Sequence, residues 1–138
     1  MCVFCEIAGG ERDAHFVLEN EVSLGFLDVR PLFPGHSLLI PRAHHETLAD
    51  LPEALVEPYF LTVKALAEAV RSAMEAVGTF VAINNKISQS VPHLHTHVVP
   101  RNPKDGLRGF FWPRTKYASD EEMAATAALI REAVERDG

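Results

Sequence analysis

The stretch Val91-Pro92-His93-Leu94-His95-Thr96-His97-Val98-Val99-Pro100 holds three of the chain's seven histidines, spaced at every second position. The residues around them are mostly apolar or β-branched, with a proline near each end, a composition that predicts a short strand. Alternate side chains of a strand point to opposite faces, so His93, His95 and His97 are expected on one face, roughly 6.6–6.8 Å apart along the chain. Each imidazole needs a polar partner if buried. Three readings are open: a solvent-facing polar strand, a three-histidine metal site, or a histidine nucleophile with flanking helpers. A surface strand more often mixes Thr, Lys and Glu than repeats His, which disfavours the first.

Upstream, Thr79-Phe80-Val81-Ala82-Ile83-Asn84 reads as a strand. The polar loop 85–90 then leads to the histidines, offering Lys86, Gln89 and Ser90 as donors to an anion. Residues 16–20 and 22–28 read as two strands joined by a tight turn at Asn20-Glu21, with Val22, Leu24, Phe26 and Asp28 on one face. A turn-rich loop, 30–35, precedes the strand His36-Ser37-Leu38-Leu39-Ile40-Pro41, whose first residue follows Gly35 at a strand end. Asp50 to Glu53 has capping-box spacing. The apolar positions Leu55, Tyr59, Val63, Leu66, Val70, Met74 and Val77 predict an amphipathic helix. Pro58 places the main helix start near Glu57 or Pro58, and Gly78 its end.

Downstream, residues 101–114 are basic and aromatic, with Phe110, Phe111 and Trp112 expected chiefly to pack. Ser119 to Glu122 is a second capping box. It opens a helix running to about Arg136, with Met123, Ala127, Ile130 and Val134 as its buried stripe. The order of strands, helix, strands and helix gives an antiparallel α+β domain. One domain is expected over residues 1–138, with 101–138 as loop plus helix.

A net charge of −6 argues against a surface that coats nucleic acid, though not against a nucleotide pocket. No stretch is long enough to span a bilayer, and the first residues lack the pattern of a signal peptide, so a cytoplasmic protein without membrane partners is expected. In that compartment Cys2 and Cys5, at C-x-x-C spacing, suggest metal or redox chemistry rather than a structural disulfide. Two thiolates supply half of a tetrahedral zinc site. With no further cysteine in the chain, the other ligands must be histidines. The candidates are His44 or His45 plus one of the triad.

Taken together, these residues resemble the histidine triad (HIT) family. The resemblance rests on His93-Leu94-His95-Thr96-His97-Val98-Val99 with the lead-in Gln89-Ser90-Val91. Asp28 and Pro34-Gly35-His36-Ser37-Leu38-Leu39-Ile40-Pro41 support it, as does the opening Cys2-Val3-Phe4-Cys5-Glu6-Ile7, which is similar to zinc-containing bacterial members. It covers roughly residues 2–101. It implies a five-stranded antiparallel sheet with two main helices, and a homodimer. The implied reaction is hydrolysis or transfer at the α-phosphate of a dinucleoside polyphosphate or nucleoside phosphoramidate, the nucleotide being a purine.

The resemblance also implies roles. His95 attacks phosphorus to form a nucleotidyl-histidine intermediate, and the His93 carbonyl holds its Nδ1–H. His97, Gln89 and Ser90 contact phosphate oxygens or the leaving group. His36 and Asn84 complete the phosphate pocket, and Asp28 binds ribose hydroxyls. The implied zinc ligands are Cys2, Cys5, His44 and His93, a structural site pinning the N-terminus to the triad strand. The chemistry is consistent with these roles. Neutral imidazole is abundant near pH 7 and needs no separate base. A metal on His95 would consume the attacking lone pair, so zinc is expected on His93.

Thr96 departs from the family's apolar residue at that position, and the Asn84–Gln89 loop lacks its common glycines. Val98-Val99-Pro100-Arg101 resembles the dinucleoside polyphosphate branch more than the phosphoramidate branch. Two other readings stand beside the enzyme. One is a nucleotide- or zinc-binding interaction protein with little catalysis. The other is a three-histidine metal hydrolase with metal on His95.

Overall fold

The apolar runs Leu38-Leu39-Ile40 and Val98-Val99 have no polar side to offer water. In the computed structural model they lie at the centre of a sheet, fully or almost fully buried. The structure describes residues 2–107 and 114–137. In chain order the elements are α1 (Val3–Ala8), β1 (Phe16–Glu19), β2 (Ser23–Leu27), β3 (Ser37–Pro41), a 3-10 turn (Leu48–Asp50), α2 (Glu53–Ala73), β4 (Gly78–Ile83), β5 (Thr96–Arg101) and α3 (Asp120–Asp137). The five strands pair antiparallel in the order β1-β2-β3-β5-β4, the sheet that the resemblance implied. Contacts divide the chain into two units, Met1–Asp105 and Gly106–Gly138.

Register assigns each face its work. Leu38 lies opposite His97 and Leu39 opposite Thr96, so successive residues of β5 alternate between two cores. On one face Leu39, Leu94 and Val98 pack with Tyr59, Val63, Leu66 and Val70 of α2. On the other, Leu24, Phe26, Leu38 and Ile40 pack with Phe4 and Ile7 of α1. Thr96 points away from the imidazoles, as expected. Tyr59 donates its hydroxyl hydrogen to the Leu39 carbonyl at 2.9 Å, which leaves its oxygen to accept from Thr96 Oγ1 at 2.7 Å. The hydroxyl at this position therefore ties β5 and β3 to α2.

Several expectations are corrected. β5 starts at Thr96, so only His97 of the triad lies in the paired strand. Pro92 has no N–H to give a ladder. The His93 N–H bonds Val91 O at 2.8 Å and that of Leu94 bonds His45 O at 2.6 Å, neither of them in a neighbouring strand. Asp50 closes a box rather than opening one: its Oδ2 accepts from the Thr47 N–H at 3.0 Å and hydroxyl at 2.8 Å. α2 then begins at Glu53 and carries Pro58 inside it. It ends before Glu75, whose φ of 52° is left-handed, and Gly78 opens β4 instead of stopping the helix. α1 was not expected. It is one and a half turns long, and Cys2 Sγ caps it by accepting from the Cys5 N–H at 3.4 Å.

In the second unit Ser119 Oγ accepts from Glu122 N–H at 3.1 Å, as expected of a cap, while Glu122 reaches back to Ala118 N–H at 3.1 Å. The expected stripe is not buried: Met123, Ala127, Ile130 and Val134 are all exposed. Among the described residues α3 is the only helix or strand of its unit. The packing expected of Phe110, Phe111 and Trp112 falls outside the described residues. No helix among the described residues is long and apolar enough to cross a membrane.

Candidate active site and metal cluster

The extended segment before β5 still alternates, which sends Leu94 into the α2 core and the histidines to the other face. There they divide. His93 turns toward the cysteines, while His95 and His97 line a cleft of about 660 Å³ with Asp28 and Ser90. The cleft wall is apolar: Val3, Phe4 and Ile7 from α1, then Phe26, Leu38 and Val91. Arg12, Asp13 and His15 also line it.

Hydrogen bonds fix which nitrogen of each ring carries the proton. A carbonyl only accepts, so His95, with Nδ1 2.8 Å from His93 O, is protonated at Nδ1 and keeps a lone pair on Nε2. His93 Nε2 donates to Pro41 O at 2.9 Å, leaving its Nδ1 unprotonated. His36 Nδ1 accepts from the Leu32 N–H at 3.0 Å. Neutral His36 therefore carries its proton on Nε2, 3.0 Å from His97 Nδ1 and 3.5 Å from Asp28 Oδ2. His97 in turn holds its proton on Nε2. The face thus presents one bare nitrogen, on His95, beside one N–H, on His97; the two rings lie 5.2 Å apart.

Burial disfavours the charged forms of His97, His36 and His93. It pushes His97 down to about 4, helped by His95 and His36 and opposed by Asp28. His36 is lowered by burial against the pull of Asp28. His93 is lowered by burial too, opposed by its bond to Pro41.

The polar loop is built otherwise than expected. Gln89 Oε1 accepts from Lys86 N–H at 2.9 Å and its Nε2 donates to Glu46 O at 2.6 Å, while Lys86 Nζ pairs with Glu46 at 3.0 Å. Both side chains brace the loop against residues 45–48, and Ser90 is the loop member that lines the cleft. Asn84 is half-buried just after β4 and is not among the lining residues. Lys86 and Ser88 adopt φ of 70° and 61°. The loop keeps the left-handed shape that glycine favours without using glycine.

Cys2, Cys5, His44 and His93 converge, their donor atoms all within 4.8 Å of one another. Cys2 Sγ lies 3.4 Å and Cys5 Sγ 3.5 Å from His93 Nδ1, and Cys5 Sγ lies 3.3 Å from His44 Nδ1. A tetrahedral zinc with sulfur at about 2.3 Å and nitrogen at about 2.0 Å sets S and N about 3.5 Å apart, so the cluster fits that ion. Burial, then the neighbouring Cys2, push the Cys5 thiol up, and a bound zinc would offset this, since its thiol ligands bind deprotonated. His93 Nδ1 is free for a metal because Pro41 holds the other nitrogen. His45 is not in the cluster; its carbonyl holds Leu94 and its buried Nε2 has no partner. The sequence reading missed the whole α1 wall, although the apolar i, i+3 pair Phe4 and Ile7 was there to be read.

Known proteins match this architecture. A family model described as HIT domain matches residues 9–104. "Protein hit" of Bacillus subtilis is 37% identical over 113 residues, 80% of this chain and 78% of that protein. An adenosine 5'-monophosphoramidase of Saccharomyces cerevisiae is 34% identical over 110 residues, 77% of this chain and 66% of that protein. A HIT family crystal structure from Bacillus subtilis superposes with a TM-score of 0.84 at 34% identity, covering 95% of both chains. A zinc-bound histidine triad family protein from Mycobacterium smegmatis gives a TM-score of 0.72 at 35% identity, covering 97% of this chain and 96% of that one.

Proposed function

This chain belongs to the HIT family and is an enzyme of its nucleotidyl hydrolase/transferase class, and we propose that it cleaves at the α-phosphate of a purine nucleotide through a nucleotidyl-His95 intermediate. The substrate is a dinucleoside polyphosphate or a nucleoside phosphoramidate. The observation that carries the reading is the 2.8 Å bond from His95 Nδ1 to His93 O, which leaves Nε2 bare at the cleft. Nε2 attacks the α-phosphorus and the bond from phosphorus to the leaving group breaks. The proton stays on His95 Nδ1 and is donated to the His93 carbonyl, which stabilises the cationic ring that forms. Water then attacks phosphorus and releases a proton to solvent, the P–N bond breaks, and the lone pair returns to Nε2.

His97 gives its Nε2–H to a phosphoryl oxygen, and Ser90 adds a hydroxyl. The leaving group departs with the bonding electron pair and takes any proton it needs from solvent. His36 holds the His97 tautomer. Asp28 faces the ribose hydroxyls, and the Phe4, Ile7, Phe26 and Leu38 wall takes the base. Gln89 and Asn84 act on the phosphate indirectly, by shaping the loop and the end of β4. Zinc, when bound by Cys2, Cys5, His44 and His93, supplies cross-linking charge and no reacting atom. The outer position of β4 in the sheet, with Val81 exposed, and the exposed Val56, Phe60 and Leu61 of α2 suit a homodimer. Free Cys2 and Cys5 suit a cytoplasmic setting.

The test is His95→Asn, assayed on a diadenosine polyphosphate and on adenosine phosphoramidate. Loss of turnover of both by about a thousandfold or more is expected, with AMP binding kept and the wild-type protein giving a nucleotidyl mass adduct on His95. Turnover that survives the substitution removes the covalent mechanism. AMP binding by a wild-type protein that turns over neither substrate returns the reading to a nucleotide-binding interaction protein.

A further inference from the structure

Phe4 sits between the two cysteines, in a helix of six residues. Its ring packs edge-on against three others: His93 of the metal cluster at 5.9 Å, His95 at 5.1 Å and Phe26 of the cleft wall at 5.5 Å. One side chain therefore touches a metal-cluster imidazole, the nucleophile and the apolar wall. Its own helix supplies Val3, Phe4 and Ile7 to that wall. Helices this short do not hold themselves together. α1 buries Phe4 and Ile7 with Ala8 packed beside them, its Glu6 pairs locally with Arg12, and Cys2 and Cys5 tie it to His93 and His44. Without a metal those contacts are thiol to imidazole, and a thiol is a weak hydrogen-bonding group.

We propose that metal occupancy of the Cys2–Cys5–His44–His93 cluster and nucleotide occupancy of the cleft are thermodynamically coupled, with Phe4 the positioning residue through which α1 carries the coupling to His95. This rests on the reading of the cleft as a nucleotide site. A metal fixes α1, and α1 fixes the wall and the ring packed on His95. A base seated on the wall fixes α1 from the other side and so holds the cysteines in place for the metal. Linkage makes the two effects equal.

The test measures AMP affinity by calorimetry on zinc-loaded and chelator-stripped protein, and zinc affinity by chelator competition with and without saturating AMP. About a tenfold loss of AMP affinity on stripping is expected, matched by an equal tightening of zinc by AMP. Phe4→Leu, which keeps every ligand and most of the apolar volume, is expected to bind zinc within about twofold of wild type and to lose the linkage. Equal AMP affinity in both metal states overturns the coupling and leaves the nucleotide site standing. Zinc-loaded protein that does not bind AMP overturns the nucleotide reading itself. Should stripping unfold the chain, the zinc-affinity arm decides, because linkage that persists undiminished in Phe4→Leu removes Phe4 from the path.

Discussion

The two faces of the sheet are held by different means. Under α2, a helix of 21 residues closes a buried core of Leu39, Leu51, Tyr59, Val63, Leu66, Val70, Leu94 and Val98. Over the other face, a six-residue helix leaves a cleft open, and thiols, imidazoles and carbonyls do much of the fastening. The first face is fixed by buried area, which any well-packed apolar set supplies. The second is fixed by directed bonds, which need particular atoms. Stability and chemistry are thereby assigned to opposite sides of one sheet.

Substitutions can separate the two sides. Leu66→Ala, at a site 2% exposed under α2, is expected to cost about 2–5 kcal/mol in denaturant unfolding while leaving kcat per folded molecule unchanged. Gly35→Ala acts on the other side. Gly35 has φ of 96°, and an added Cβ meets Met74 Cγ at 2.6 Å, so the change costs about 1–3 kcal/mol. Because Gly35 leads directly into His36, kcat falls with it, measured at a temperature where the variant is folded.

Above the carboxylate range, acid reports on the histidine side. His97 and His36 have lowered values in the fold, so between about 6.5, their ordinary value, and about 4 for His97, the unfolded chain binds more protons than the native one. Stability is then full above pH 6.5 and falls as pH drops toward 4. In His97→Asn the slope of unfolding free energy with pH in that window is expected to be shallower; an unchanged slope places the lost protons elsewhere. The smallest effect is expected from Ser88→Gly, at φ of 61° in the loop that precedes the triad. It relieves left-handed strain and gains up to about 1 kcal/mol in a thermal melt, partly offset by chain entropy.

The same contrast explains what was legible in the sequence. The five strands and α2 show as periodic apolar patterns, because burial on a regular element imposes a period. The histidines and cysteines show as a spacing, and the structure gathers Cys2, Cys5, His44 and His93 as well as Asp28, His36 and His97. What depends on single hydrogen bonds did not show. Asp50 has capping spacing toward both Thr47 and Glu53, and only the fold selects Thr47. Lys86 and Gln89 are donors in any loop, and it is the position of Glu46, about forty residues away, that turns them from the cleft. α1 lies below the length at which periodicity is visible, and its wall over the cleft was lost with it.

The bond between His93 and His95 has one further implication. It uses a carbonyl of the main chain, and every amino acid has one. Replacing the His93 side chain strips a ligand from the cluster yet leaves that oxygen where it was. The lone pair on the neighbouring ring is thus set by a group that no substitution at position 93 can delete, and the protein can change its metal habits without re-addressing its nucleophile.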